Sequence, residues 1–337
     1  MSKKSDSKDT EYWKGKRVLV TGAAGFIGSH LTESMVPLCA HTRALVQYRS
    51  DGRAGWLEGS ASKMDIEILA GDVRDRDSVR RAVEGSDVVF HLAALIGIPY
   101  SYEAPLSYVH TNAEGTFHVL TACRDSGVGL MVQTSTSEVY GSAQQVPISE
   151  SHPLQAQSPY SASKIAADKF AEAFHLSFDV PVVTVRPFNT YGPRQSPRAI
   201  IPAIMTQLLQ GNDLRLGNTE TTRDLNFVLD TVRGFRLAAQ SPEAVGEVVN
   251  LGTGKEISIG DLATMIMSTV GVNRSVVVED QRVRPSKSEV MRLCADNTKA
   301  RTLLGWEPEY SLEEGLKITF EWVQQNLDAI AREEYAV

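Results

Sequence analysis

A short apolar strand that runs directly into a glycine-rich turn is the feature that most constrains the fold of this 337-residue chain. The strand is RVLVT at 17–21, the turn that follows reads GAAGFIG, and a helical pattern then continues to Pro37. Gly22, Gly25 and Gly28 allow a tight turn, the close approach of a pyrophosphate to the backbone, and close helix packing. The N–H groups at the start of the helix face the anion. The pattern predicts a dinucleotide-binding site at the first strand of a parallel sheet.

Apolar strand patterns and helical patterns alternate through the first half of the chain. This alternation predicts an α/β fold with a Rossmann-type, doubly wound parallel sheet that helices cover on both faces. Pro, Gly and Asn are frequent from residue 188 onward, which predicts a smaller substrate-binding lobe with some segments returning to the first domain. The predicted divisions are a mobile tail at 1–14, a Rossmann domain at 15–187 and the second lobe at 188–337. Further strands are predicted at 43–47, 66–70, 87–91, 129–134 and 181–186, and helices at 29–36, 75–84, 104–126 and 158–178.

Composition and charge narrow the classes of function. The formal net charge of −7 gives no support to a nucleic-acid surface. The three cysteines lie far apart, without the spacing of a metal site or a disulfide framework, so a reducing cytoplasm and no metal are expected. The sequence has no signal-peptide pattern and no apolar run long enough to cross a bilayer, so neither secretion nor a membrane partner is expected.

The acidic residue typical of a dinucleotide site is missing. Such a residue, about 20 positions beyond the glycines, would bind the adenosine ribose hydroxyls. Residues 47–50 read QYRS there instead. Because an arginine accommodates a ribose phosphate, Arg49 favours NADP over NAD as the cofactor. Asp72 and Ala93 end two further strands on the same sheet edge and are expected to border the adenine and the phosphates.

A second pattern, TSTSEVYG followed by YSASK, is typical of a catalytic site. A helix places residues i and i+4 on one face, so Lys164 is expected beside Tyr160. A tyrosine ordinarily titrates at about 10 and becomes a usable base near neutrality only if positive charge favours the phenolate. Lys164 is positioned to supply that charge. The alternative interpretation is a surface Tyr and Lys on an ordinary amphipathic helix.

Five motifs in order, TGAAGFIG, HLAAL, STSEVYG, YSASK and RPFNTYGPR, resemble those of the extended short-chain dehydrogenase/reductase family, specifically its nucleotide-sugar epimerases and dehydratases. The resemblance extends from about Lys16 to about Trp322. HLAALIGIPYSYEAP, TRDLNFV and RPSKSEV are similar to the LegB-type 4,6-dehydratases, which act on nucleotide-linked N-acetylglucosamine. The resemblance implies UDP- or GDP-N-acetylglucosamine as the substrate. It also implies a homodimer whose four-helix bundle is formed by 104–126 and 158–178 of each copy.

The resemblance further implies a reaction in three stages. Tyr160 removes the carbon-4 hydroxyl proton while hydride passes to a tightly bound NAD or NADP; Lys164 lowers the tyrosine pKa and Thr136 hydrogen-bonds the same sugar oxygen. Glu138 then removes the carbon-5 proton, water leaves from carbon 6, and the hydride returns to carbon 6. Because a simple 4-epimerase needs no base at carbon 5, Glu138 favours elimination. Ser137 stands where many hexose dehydratases have an acid, so the leaving group is protonated either by Glu138 or through a water held by Ser137.

The resemblance also implies which residues bind the two ligands. The residues expected to bind the nucleotide sugar are Ser101, Thr136, Asn189, Arg223 and Arg284. The residues expected to bind the cofactor are Gly22, Ala24, Gly25, Phe26, Ile27, Gly28, Arg49, Asp72, Val73, Leu92, Ala93, Ala94, Tyr160, Lys164 and Pro187.

Four alternatives remain compatible with these motifs. The string STSEVYG also occurs in enzymes that resemble UDP-glucuronate decarboxylases, but these need a cation near carbon 6, and GIPY at 97–100 offers none. A 4-epimerase, or a 5,6-dehydratase that returns hydride to carbon 4, would share the first oxidation. A non-catalytic NAD(P)-binding sensor of the same fold would commonly lack the tyrosine or the lysine, and both Tyr160 and Lys164 are present.

Overall fold

A seven-stranded parallel sheet forms the centre of the protein. The computed structural model describes residues 7–279, 289–328 and 330. The sheet has the order β10-β6-β5-β4-β1-β2-β3, and every neighbouring pair is parallel. This confirms the predicted α/β fold with a doubly wound sheet. The strands are β1 (Arg17–Thr21), β2 (His41–Gln47), β3 (Ile66–Gly71), β4 (Val88–His91), β5 (Leu130–Thr134), β6 (Val182–Pro187) and β10 (Val248–Leu251).

The apolar strand sequences arise because helices cover the sheet on both faces. Along β1, Val18 and Val20 belong to one core cluster and Leu19 belongs to another, since successive side chains of a strand point to opposite faces. The covering helices bury their apolar faces against these clusters. The helices are α1 (Ser7–Trp13), α2 (Phe26–Met35), α3 (Arg76–Val83), α4 (Ile98–Glu103), α5 (Pro105–Tyr108), α6 (Gly115–Asp125), α7 (Pro159–Phe178), α8 (Ile200–Leu209), α9 (Val228–Gln240), α10 (Ile259–Val270), α11 (Thr298–Leu304) and α12 (Leu312–Gln325).

Two predicted segments differ most from the structure. The expected mobile tail is wrong for residues 7–13, because these form α1 and Trp13 is fully buried, with its ring 6.0 Å from that of Phe90. The single helix expected at 104–126 is divided into α5, a π-helical turn at Val109–Glu114, and α6. A buried tryptophan anchors the otherwise polar α1, which explains why its charged sequence resembled a tail.

The second lobe consists of small sheets and helices that follow β6. Strand β9 (Thr222–Phe227) pairs with β7 (Asn189–Tyr191), β11 (Glu256–Ser258) and β13 (Arg292–Leu293), while β8 (Leu214–Leu216) pairs with β12 (Val276–Val278). Strand β10 returns to the central sheet, where α9 and α11 pack against it and its neighbours. None of the helices in the described part of the chain has the length and apolar character needed to cross a membrane.

Candidate active site

The glycine turn after β1 brings three chain segments very close together. Gly22 has a φ of +67°, and a Cβ atom there would lie 2.7 Å from the nitrogen of Ala93. A Cβ atom at Gly28 would lie 2.2 Å from the carbonyl oxygen of Gly22. Gly25 precedes α2 without a side-chain cap, so the first N–H groups of this helix have no partner within it. Because these N–H groups and the helix dipole favour an anion, the turn fits the pyrophosphate of a dinucleotide.

A buried hydrogen-bond network fixes the ends of β1 and β4 beside this turn. Thr21 Oγ1 accepts hydrogen bonds from two backbone N–H groups after β4, each at 3.2 Å, and lies 2.8 Å from His91 Nδ1. On its other side, His91 Nε2 lies 3.1 Å from Thr116 Oγ1, whose hydroxyl donates to the carbonyl of Asn112. His91 therefore carries its proton on Nε2 and accepts at Nδ1. Burial lowers the pKa of His91 to about 3, so the ring is neutral.

Arg49 already has a carboxylate partner. Its Nη2 lies 3.0 Å from Asp51 Oδ2 and its Nε lies 3.2 Å from Asp51 Oδ1. The hydrogen bond from Arg49 lowers the pKa of Asp51, which keeps the pair ionised. The loop that follows lies against the glycine turn, since Trp56 N donates to the carbonyl of Ala24 at 3.2 Å. The expectation of NADP depends on the Arg49 guanidinium, and this group is already bound to the carboxylate of Asp51.

The other expected cofactor positions follow the carboxyl ends of the parallel strands. Asp72 comes directly after β3 and binds Arg74, with 2.5 Å between Oδ2 and Nη2, and hydrogen bonding to Arg74 lowers the Asp72 pKa. Val73 is buried against Gly115 in α6. The stretch 92–94 follows β4, and Pro187 ends β6. In open α/β sheets, ligands bind at this edge.

A short 3₁₀ turn after β5, Ser137–Tyr140, carries the predicted catalytic side chains. Thr136 caps the turn, with its Oγ1 accepting from the Glu138 N–H at 3.2 Å. Ser137 is buried and Glu138 is half-buried. Within the described residues, the Glu138 carboxylate has no hydrogen-bond or ion-pair partner, so it can accept a proton from a bound molecule.

Tyr160 lies in the first turn of α7, after a capping box at Ser158. Its ring is buried beside Ile98 and lies 6.2 Å from the ring of Tyr108. Burial raises the pKa of Tyr160, and a hydrogen bond with Thr136 opposes this in part. The expectation that the Lys164 charge lowers the tyrosine pKa stays a prediction, since burial is the largest cause of the raised value.

The ammonium of Lys164 is directed to the backbone at the carboxyl end of β5. Its Nζ donates to the carbonyl oxygen of Thr134 at 2.5 Å. Burial lowers the pKa of Lys164 to about 8, against the opposing effect of the Asp168 charge. A lysine at this place can hold a ligand hydroxyl and a backbone carbonyl together, because its ammonium has three donors.

Asn112 is a buried residue of the site that the sequence patterns did not indicate. Its Nδ2 donates to the Leu95 carbonyl and to Ser163 Oγ, each at 2.9 Å, and its Oδ1 accepts from the Leu95 N–H at 2.8 Å. Ser163 Oγ in turn donates to the Tyr160 carbonyl at 2.7 Å. These bonds tie the loop after β4 to the helix that carries Tyr160. The sequence signal that could have indicated Asn112 is a polar residue within an apolar helical face.

The expected substrate residues have different environments. Asn189 lies on β7, next to β9, and its buried Oδ1 has no hydrogen-bond partner among the described residues. Arg223 on β9 is buried, donates to the Thr222 carbonyl, and lies 3.6 Å from the Glu289 carboxylate. Ser101 is fully buried, and its hydroxyl donates to the Ile98 carbonyl within its own helix. The expected binding residue Arg284 lies outside the described residues.

Comparison with known proteins decides the family. The sequence model described as GDP-mannose 4,6 dehydratase matches residues 19–319. The chain belongs to the NAD-dependent epimerase/dehydratase family. This epimerase/dehydratase is 36% identical to a UDP-glucose 4-epimerase of Mycolicibacterium smegmatis over 312 residues, which cover 91% of this chain and 98% of the relative. It is 33% identical to a dTDP-glucose 4,6-dehydratase of Streptomyces niveus, with 92% and 93% covered.

Solved structures agree with this assignment. The epimerase/dehydratase resembles DesIV, a dTDP-glucose 4,6-dehydratase from Streptomyces venezuelae with NAD bound, at a TM-score of 0.86 and 32% identity, covering 93% of this chain and 98% of that one. It also resembles a UDP-glucuronic acid 4-epimerase from Bacillus cereus in complex with UDP-glucuronic acid and NAD, at a TM-score of 0.83 and 30% identity, covering 92% and 99%. The protein is therefore an NAD-dependent nucleotide-sugar-modifying enzyme, either a dehydratase or an epimerase.

Within 7–279, 289–328 and 330, no three His, Cys, Asp or Glu side chains come together in a way that could hold a metal ion.

Proposed function

We propose that this protein is a nucleotide-sugar 4,6-dehydratase that converts an NDP-hexose to its 4-keto-6-deoxy product. The observation that carries the proposal is Glu138, whose unpartnered carboxylate is close enough to Tyr160 for its charge to raise the tyrosine pKa. A 4-epimerase needs only the oxidation and reduction at carbon 4. A carboxylate beside that position supplies the additional base that elimination across carbons 5 and 6 requires.

The chain's own residues account for the proton transfers. Tyr160, hydrogen-bonded to Thr136, receives the carbon-4 hydroxyl proton. Bound NAD supplies the hydride acceptor at carbon 4 and later the hydride donor at carbon 6. Glu138 takes the carbon-5 proton, which the carbon-4 ketone has made acidic. The carbon-6 hydroxyl leaves as water after protonation by Glu138 or through Ser137, and carbon 5 is finally reprotonated.

The cofactor we propose is NAD rather than NADP, the reverse of what Arg49 indicates in the sequence. The Arg49 guanidinium binds Asp51 through two hydrogen bonds. A 2′-phosphate would have to displace this carboxylate or lie beside its negative charge. The NAD bound in the structural relatives supports the same choice.

The substrate class we propose is UDP- or GDP-N-acetylglucosamine. The LegB-like motifs support it, and so does the apolar wall beside Tyr160, where Ile98 and Tyr108 pack against the ring. Such a wall suits the methyl of an acetamido group. The amide nitrogen of Asn189 can donate a hydrogen bond, and Arg223 lies on the adjacent strand, so both residues are suited to the nucleotide diphosphate. Decarboxylation is disfavoured because 97–100 provides no cation for a carbon-6 carboxylate.

Mass spectrometry of the products tests this proposal. The NAD-loaded protein is incubated separately with UDP-, GDP- and dTDP-linked hexoses, with and without a 2-acetamido group, and with UDP-glucuronate. A 4,6-dehydratase gives a product lighter by one water that has a carbon-6 methyl signal in proton NMR, which the 5,6-dehydratase product of equal mass lacks. A product lighter by one carbon dioxide would identify a decarboxylase, and an isomer of unchanged mass would identify an epimerase. Either of these results, or no conversion of any hexose, would overturn the proposal.

We also propose a homodimer formed by α6 and α7. Phe117 on α6 and Phe170 on α7 lie 5.6 Å apart, yet 41% and 37% of their respective surfaces are exposed. A second copy of these helices would cover both rings. Light scattering after gel filtration should give twice the mass of the chain, and Phe117→Glu should give a monomer. A wild-type monomer would contradict the assembly.

A further inference from the structure

We propose that Asp168 and Arg186 are positioning residues whose ion pair holds both ends of the catalytic segment 135–140. This inference deepens the proposed function and depends on it for its catalytic meaning. The two side chains are each 4% exposed, and Arg186 Nη2 lies 2.9 Å from Asp168 Oδ2. Thr136 and Glu138 lie within the segment that the pair holds.

The first end of the segment is attached to the carboxylate. Ser135 Oγ donates to Asp168 Oδ2 at 2.7 Å. The same oxygen accepts from Arg186 Nε at 3.1 Å and from its Nη2 at 2.9 Å. Three donors on one carboxylate oxygen define its orientation, so the Ser135 hydroxyl has a fixed acceptor. Thr136, the next residue, is held at the place where its hydroxyl meets Tyr160.

The second end is attached to the guanidinium. Arg186 Nη1 donates to the Tyr140 hydroxyl at 2.9 Å, and the guanidinium carbon lies 4.9 Å from the centre of the same ring. The Tyr140 hydroxyl donates to Asn250 Oδ1 on β10 at 2.7 Å. The Tyr140 ring is therefore held from two strands of the central sheet. Glu138, two residues before Tyr140, therefore lies between two fixed residues, Ser135 and Tyr140.

The pair also connects this segment to the helix of the catalytic tyrosine. Tyr160, Lys164 and Asp168 are spaced four residues apart along α7, so they follow one face of the helix. Arg186 lies on β6, beside β5, from which the segment emerges. The ion pair thus joins the helix bearing Tyr160, the segment bearing Glu138 and the central sheet. The distance between the Tyr160 hydroxyl and the Glu138 carboxylate therefore depends on this ion pair.

The test removes the attachments and leaves the ion pair intact, because a buried charge without its partner endangers folding. Ser135→Ala and Tyr140→Phe each delete one attachment. Tyr12→Phe is the matched control, since its hydroxyl donates to the Ala239 carbonyl at 2.6 Å and both residues lie outside the segment. For each NAD-loaded protein, hydrogen-deuterium exchange of 135–141, kcat, KM for the sugar and the Kd of NAD are measured. Ser135→Thr, which keeps a hydroxyl, serves as the rescue variant.

The proposal predicts faster exchange of 135–141 in Ser135→Ala and Tyr140→Phe, with kcat lower by about tenfold to a hundredfold. KM and the Kd of NAD should stay within about twofold, the control should match the wild type, and Ser135→Thr should recover activity. Unchanged exchange would overturn the proposal whether or not kcat falls, and so would faster exchange with an unchanged kcat. If the wild type converts no sugar, the proposed function fails, and exchange alone decides whether the pair holds the segment.

Discussion

The ammonium of Lys164 donates a hydrogen bond to the carbonyl oxygen of Thr134, 2.5 Å away, at the carboxyl end of β5. Burial lowers the pKa of this lysine to about 8, while Asp168 opposes the shift and His91 beside it is neutral. The charge is therefore present below pH 8 and is lost as the pH rises through that value. A lysine with this pKa gives the site a dependence on alkaline pH that an exposed lysine would not give.

We expect kcat/KM to decline as the pH rises through about 8, because the site needs the Lys164 charge to bind and orient the cofactor. Lys164→Arg keeps a charge that does not titrate in this range, so its alkaline decline should move to higher pH. Steady-state rates across neutral and alkaline pH provide the measurement. The same decline in both proteins would show that another group titrates.

Replacing the tyrosine separates chemistry from binding. Tyr160→Phe removes the hydroxyl that receives the carbon-4 proton but keeps the buried ring next to Tyr108. We expect kcat to fall by about 10²-fold to 10⁴-fold, with NAD binding within about twofold of the wild type. Product formation and the fluorescence titration of NADH are the two measurements. Turnover at the wild-type rate would refute the role of Tyr160.

The neutral His91 ring makes the stability of the protein dependent on acid pH. Because the folded pKa of about 3 lies below the unfolded value of about 6.5, the unfolded chain binds the proton first as the pH falls. Stability is therefore lost between these two values, by about 2 kcal/mol at pH 5 from this residue. In His91→Gln, the free energy of unfolding from urea titrations should vary less over this interval. An equal pH dependence in both proteins would mean that His91 does not carry the effect.

The Arg49–Asp51 pair should set the choice of cofactor. Asp51→Asn removes the negative charge beside the Arg49 guanidinium, so we expect a 2′-phosphate to be bound more readily there and the Kd of NADPH to fall by about tenfold. The Kd of NADH should change by less than about twofold, because the adenosine ribose keeps its hydroxyls. Asp65→Asn, the same charge change at an exposed carboxylate for which no ion pair is seen among the described residues, is the control. Tight NADPH binding by the unchanged protein would contradict our choice of NAD.

The fold was predictable because its signals are local. Strands β1 to β6 appear in the sequence as apolar runs, and each predicted strand overlaps the observed one. Strand β10 was not predicted, because VVNL is only four residues long and lies in a region broken by Gly and Pro. The burial of Trp13 depends on contacts with distant strands, so the sequence around it resembled a tail.

The candidate site was likewise predictable only where its sequence signals are local. The spacing of Tyr160 and Lys164 follows from helix geometry alone, and the glycine turn follows from backbone requirements. The pairing of Arg49 with Asp51 depends on the conformation of one loop, and the pairing of Asp168 with Arg186 depends on the docking of α7 against β6. Burial also raises the Tyr160 pKa, an effect that the spacing of Tyr160 and Lys164 does not reveal. These effects arise from tertiary structure, and no spacing in the sequence encodes them.

The role of Glu138 is the central claim, and proton NMR in deuterated water tests it most directly. The wild type and Glu138→Gln are each loaded with NAD and incubated with UDP-N-acetylglucosamine, and GDP-N-acetylglucosamine is used in parallel. The wild type should produce a carbon-6 methyl signal with deuterium at carbon 5, and Glu138→Gln should produce no methyl signal while still binding NAD. A methyl signal formed by Glu138→Gln at the wild-type rate would contradict the account, as would a wild-type product that is only an epimer.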